Sequence, residues 1–210
     1  MKKIFVAVMA VAALASCAKE EAVNIDRGEA IAFGDAFVEN ATRAIYEKAD
    51  DINGFIVFGN VNNVALYGDG ATVTRNDKAL GTAWDCSVAR YWTPNGTFNF
   101  AAIANGTAAE LANGLPTKIG YTVVDADPAD LIYATATATT DANSVPTSGV
   151  NANKVVAFTF EHLLSRVKVS FENQIPETNY TYNIKDVKIT TWDKGVYTIG
   201  AATPWAQDGT

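Results

Sequence analysis

The sequence predicts an all-β protein with the architecture of a β-sandwich. Short runs of alternating or continuous apolar residues recur along it, and Gly, Pro, Asn and Asp punctuate them. Helix signals are sparse. Of 210 residues, 49% are hydrophobic, enough to bury a core of one large or two small domains. Many short strands with regular turns point to two packed sheets.

The candidate strands follow in order. "EAIAFGDAFV" (29–38) puts Ile31, Phe33 and Phe37 on one face, with Asp35 interrupting, and small residues on the other. "INGFIVFG" (52–59) is a continuous apolar run, and "ATVTR" (71–75) alternates. "GTFNFAAIA" (96–104) places Phe98, Phe100 and Ala102 on one face. "KIGYTVV" (118–124), "DLIYATAT" (130–137) and "KVVAFTF" (154–160) continue the series. "RVKVSFEN" (166–173), "YNIKDVKITT" (182–191) and "GVYTIG" (195–200) complete it. Between them "TPNG", "NGLP", "DADP" and "SVPTSG" are turn chemistry. One short helix is predicted over 107–114, with Thr107 as N-cap, Glu110 three residues on and Gly114 as stop. "EHLLS" (161–165) reads as a single turn between strands.

The N-terminus reads as a targeting segment. Met1-Lys2-Lys3 is a basic start, and residues 4–13 form an apolar run too short to span a bilayer. Leu14-Ala15-Ser16-Cys17 then has the form of a lipobox, in which small residues suit a signal peptidase and the Cys17 thiol accepts the lipid. The plainer alternative is an ordinary signal peptide with a chance cysteine. Acyl chains on Cys17 would anchor the chain without a crossing helix. Ala18-Lys19-Glu20-Glu21 reads as a solvated tether, and it also resembles the lipoprotein export signal of Bacteroidetes.

Charge and motifs exclude several classes. A net charge of −7 offers no footprint for phosphates, so nucleic acid is not an expected partner. No HExxH, CxxC, GxSxG or phosphate loop occurs. No catalytic residue, metal site or cofactor is therefore expected, and the chain does not read as an enzyme. "DADPAD" (125–130) lacks the glycine and terminal glutamate of a calcium loop and reads as a solvated turn. Cys86 reads as a small core residue, because its lone partner for chemistry would be His162, the chain's single histidine. His162 itself reads as structural, its ring nitrogens satisfied by backbone. Trp84, Tyr91, Trp92, Phe98 and Phe100 crowd one stretch; an exposed set could stack on sugars, although strand periodicity assigns Phe98 and Phe100 to the core. Pro204-Trp205 calls for something to pack against.

The ordered set "TRA" (42–44), "INGFIVFGNV", "WDCSVARYWTPNGTFNFAAIAN", "DLIYATA", "FEHLLSRVKVSF" (160–171) and "VKITTWDKGVYTIG" resembles the fimbrillin-like proteins of Bacteroidetes. The resemblance implies transthyretin-like β-sandwich domains with Greek-key character, two in a full protein. It divides the chain into a signal peptide (1–16), a lipidated tether with a removable first strand (17–43), an N-terminal sandwich (44–200) and the start of a truncated second domain (201–210). It also implies a life cycle. The lipoprotein reaches the outer membrane and cell surface, and an Arg-specific protease cuts between Arg43 and Ala44. The strand carrying Ile31, Phe33 and Phe37 leaves, and a neighbour's strand replaces it as an adhesive fimbria grows by donor-strand exchange. Partners implied are other fimbrial subunits, the membrane through the lipid anchor, the protease, and a host or bacterial surface ligand.

An uncut surface arginine is the plain alternative at Arg43. Cutting at Arg27 would free the anchor without opening a groove, and Arg75, Arg90 and Arg166 lie in or beside strands. Burial of three large side chains would contribute roughly 5–9 kcal/mol, comparable to the stability of a domain. The competing reading is a monomeric surface-anchored lipoprotein that binds a glycan or other ligand through the aromatics of "ARYWTPNG".

Overall fold

The computed structural model describes residues 28–38, 52–76, 81–124, 129–165, 167, 169–172, 174 and 183–208. Cys17, Arg27, Arg43 and Ala44 lie outside them. Thirteen strands and no helix occur among the described residues. They form two sheets, so the all-β sandwich expected from the sequence is present.

The large sheet follows the order β1 (Ala32–Val38), β11 (Val155–His162), β9 (Ile132–Thr140), β6 (Thr97–Ala104), β2 (Gly54–Val61), β4 (Ala71–Thr74) and β5 (Asp85–Cys86). Short strands β3 (Val64–Ala65) and β10 (Pro146–Ser148) pair with β2 and β9. Pairing is antiparallel except for β1, which runs parallel to β11. The small sheet has the order β13 (Trp205–Gln207), β12 (Lys194–Thr198), β8 (Leu115–Thr122) and β7 (Thr107–Ala112).

Two cores result. On β6, Phe98, Phe100, Ala102 and Ala104 face the first core, while Ala101 and Ile103 face the second. On β2, Phe55 and Val57 face the first, Ile56 and Phe58 the second. Both strands are covered on both faces, which explains why they read as continuous apolar runs rather than as clean alternations. Ile119, Tyr121 and Leu131 complete the second core under the small sheet. Trp205 finds its packing partner there: its ring meets Tyr197 edge-on at 5.4 Å, and its indole N–H donates to Leu163 O.

Four expectations are corrected. Residues 107–112 are a strand, because Asn113-Gly114 forms a tight hairpin turn with both residues at positive φ (50° and 76°). That Asn-Gly hairpin signal outweighs the capping pattern read there. Residues 167, 169–172 and 183–192 are not in strands, and Val167, Phe171, Ile184 and Ile189 are exposed. Alternation marks which face would be apolar; it does not supply a neighbouring edge to pair with. Residues 161–162 extend β11 rather than forming a turn.

Candidate functional site: the slot of the first strand

Strand β1 occupies a slot with hydrogen-bonding walls on both sides. On one side its six register pairs with β11 run from Ala32–Val155 to Val38–Phe160. On the other, a strap at residues 84–92 meets it in antiparallel sense. Ile31 N–H donates to Arg90 O at 2.7 Å, Trp84 N–H to Phe33 O at 2.7 Å and Trp92 N–H to Glu29 O at 3.1 Å, and Ala30 bridges Tyr91. The strap continues from β5, the far end of the large sheet. That sheet thus curls round until β1 joins its two ends. The strap covers the edge at residues 29–33, and β11 is covered along 32–38.

The apolar side of β1 plugs the first core. Phe33 is fully buried against Phe100 (5.3 Å, edge-on), Tyr67 (5.9 Å) and Phe158 (5.9 Å, stacked). Such ring pairs contribute about 0.5–1.5 kcal/mol each beyond their area. Ile31 is 5% exposed. Phe37, expected on the same face, is 44% exposed. The reason is a bulge: Gly34 pairs with Ala157 and Ala36 with Phe158, so Asp35 is an extra residue. One inserted residue reverses the parity of all that follow. Ala36 takes the buried position and Phe37 turns outward. Two large side chains fill the slot instead of three, which reduces the burial contribution to about 3–6 kcal/mol.

Gly34 is a requirement of the slot. A Cβ there would lie 2.6 Å from Thr82 O, 3.2 Å from Val155 Cγ1 and 3.3 Å from Trp84 Cδ1. Sequence reasoning treated it merely as one small residue among several. It also missed the strap as a wall, since two-residue β5 carries no periodic signal. Lys154 Nζ and Glu29 Oε2, 2.6 Å apart, tie the entrance, but both side chains are half exposed and the pair contributes little.

Other candidates fall into structural roles. Trp92 is 2% exposed and packs edge-on to Phe98 at 4.8 Å, and Trp84 is buried beside Phe55. Phe98 and Phe100 are core, as expected. Arg75 lies over the Trp84 ring and Arg90 over Tyr67, and the Arg90 guanidinium donates to Leu66 O. Both arginines are engaged in the fold. Cys86 is half-buried against the first core, its Sγ 3.3 Å from Val88 O, and burial pushes the thiol upward. No group of three His, Cys, Asp or Glu suited to a metal occurs among the described residues.

His162 has a side-chain partner where backbone was expected. Its Nδ1 is 2.6 Å from Asp130 Oδ2, with the two side chains 9% and 7% exposed, while its Nε2 is buried without a partner. Burial pushes the Asp130 carboxyl upward, opposed by His162. Asp130 is therefore a core group rather than the end of a solvated turn. Asn105 donates to its carbonyl at 2.8 Å, fixing the start of β9.

A family model described as fimbrillin-like matches residues 40–210. The chain belongs to the fimbrillin-like family. No curated protein and no solved structure matches it at significance. Membership in the fimbrillin-like family is that of a surface fimbrial protein, structural rather than enzymatic, whose kind assembles with other subunits. The matched span begins two residues beyond β1, so the part played by this strand is argued from its geometry.

Proposed function

We propose that this fimbrillin-like protein is a structural and adhesive subunit of a surface fimbria. It is exported to the outer membrane as a lipoprotein acylated on Cys17, matured by cleavage between Arg43 and Ala44, and assembled by donor-strand exchange. The observation that carries the proposal is the segment 29–38 that contains β1: residues 29–33 hydrogen-bond or bridge to the strap, residues 32–38 pair with β11, and Ile31 and Phe33 are buried in an aromatic slot. Loss of that segment would open two strand edges and an apolar groove together, the combination that recruits a replacement strand.

The test is a limited digest of the purified protein with an Arg-specific protease, followed by electrophoresis without boiling. A ladder of multimers is expected. A shortened monomer that stays monomeric would overturn the assembly. Arg43→Ala should abolish the ladder, whereas a ladder from that variant would move the processing point elsewhere. Cys17→Ala should abolish incorporation of labelled fatty acid; persistent labelling would refute the lipobox. The glycan-binding alternative keeps only Tyr91 of the aromatics in "ARYWTPNG", since Tyr91 is partly exposed while Trp92 is buried in the core.

A further inference from the structure

The slot is selective about which strand it can hold. We propose that it accepts only a strand, carried by a second polypeptide, that reads large–any–aromatic–glycine–any–small and lies parallel to β11. This rests on the donor-strand proposal above and goes beyond it by naming what the partner must look like.

Each position of the rule has a separate physical cause. The first is Ile31, buried in the first core beside the strap, with its N–H donated to Arg90 O. The aromatic is Phe33, ringed by Tyr67, Phe100 and Phe158. Glycine follows because the segment leading into the strap passes too close for a Cβ: Thr82 O at 2.6 Å is backbone and cannot rotate away. Then comes one residue outside the ladder, because register skips from Gly34 to Ala36. Last is a small residue, since Ala36 is 1% exposed and packs within the first core. Position 37 is free of the rule, because Phe37 is exposed.

The rule has discriminating power within this chain. Aromatic–glycine steps occur at Phe33-Gly34, Phe58-Gly59 and Tyr67-Gly68. The second has Val61 where a small residue is needed, and the third has Ala65 where a large one is needed. Only 31–36 satisfies every position. Among these 210 residues no other segment carries the pattern.

Peptide exchange tests the rule. Full-length protein is cut at Arg43 with the first strand left in place, then incubated with excess fluorescent peptide of sequence 28–38. Entry is read by co-elution with the protein and by anisotropy. The wild-type peptide should enter. Phe37→Ser should enter to within about threefold, as an exposed position would. Gly34→Val, and a peptide lacking Asp35, should each enter at least about tenfold less well, a loss typical of overpacking or reversed facing. Wild-type and Gly34→Val peptides entering alike would overturn the rule while leaving strand exchange intact. Equal loss from Phe37→Ser and Gly34→Val would overturn it too, by showing that register is not what the slot reads. Failure of the wild-type peptide would remove strand exchange and the rule together.

Discussion

Phe33→Ala is expected to lower the stability of the uncut protein by about 3–5 kcal/mol, read from its denaturant midpoint with the slope unchanged. Phe33 has no exposed surface and touches three rings contributed by the loop after β3, by β6 and by β11. Those rings come from distant parts of the chain, so the cavity left by truncation cannot close by one local shift. A domain stability of about 5–15 kcal/mol makes the loss a large fraction of the whole. The matched control is Phe37→Ala, four residues along the same strand, where exposure and the bulge at Asp35 predict a change within about 0.5 kcal/mol. Similar losses at both sites would mean that β1 is not bulged and that its facing is wrong.

His162→Leu is expected to cost about 3–5 kcal/mol at neutral pH, because it leaves the Asp130 carboxylate buried with its principal partner gone. The loss should shrink in acid. Burial already holds the Asp130 carboxyl above its ordinary range, and His162 opposes that shift. Removing the histidine raises it further. A carboxyl whose folded value lies above its unfolded value favours folding when protonated, and that benefit disappears as pH rises through the folded value. Unfolding curves between pH 4 and 7 should therefore show a deficit that grows with pH in the variant. A deficit independent of pH would assign the effect to lost packing. Asp130→Asn on top of His162→Leu should recover part of the loss at pH 7 by removing the charge.

The strands of both cores were legible where burial and local pattern agree. "GTFNFAAIA" and "KVVAFTF" announce β6 and β11 because aromatic and β-branched residues crowd positions that are buried in fact. "EAIAFGDAFV" announced β1 and the facing of Ile31 and Phe33, but not that of Phe37. A bulge depends on the neighbouring strand's register, which no local periodicity contains. The hairpin of β7 and β8 is ambiguous in sequence because two local signals compete there, a capping pattern and Asn-Gly, and the turn prevails. The strap at 84–92 was invisible as a wall. Its contribution is made of backbone groups brought to β1 across more than fifty residues of sequence. Asp130 and His162 lie 32 residues apart, so their pairing also belongs to the fold rather than to any motif.

The parallel course of β1 along β11 has a mechanical meaning. A strand pulled lengthwise against a parallel neighbour must slide past it, so its six register pairs share the load at once. Pulled sideways, the same strand would yield bond by bond. If a neighbouring subunit's strand sits as β1 does, tension along it meets the joint in its strong direction, while a small transverse force would suffice to peel it free.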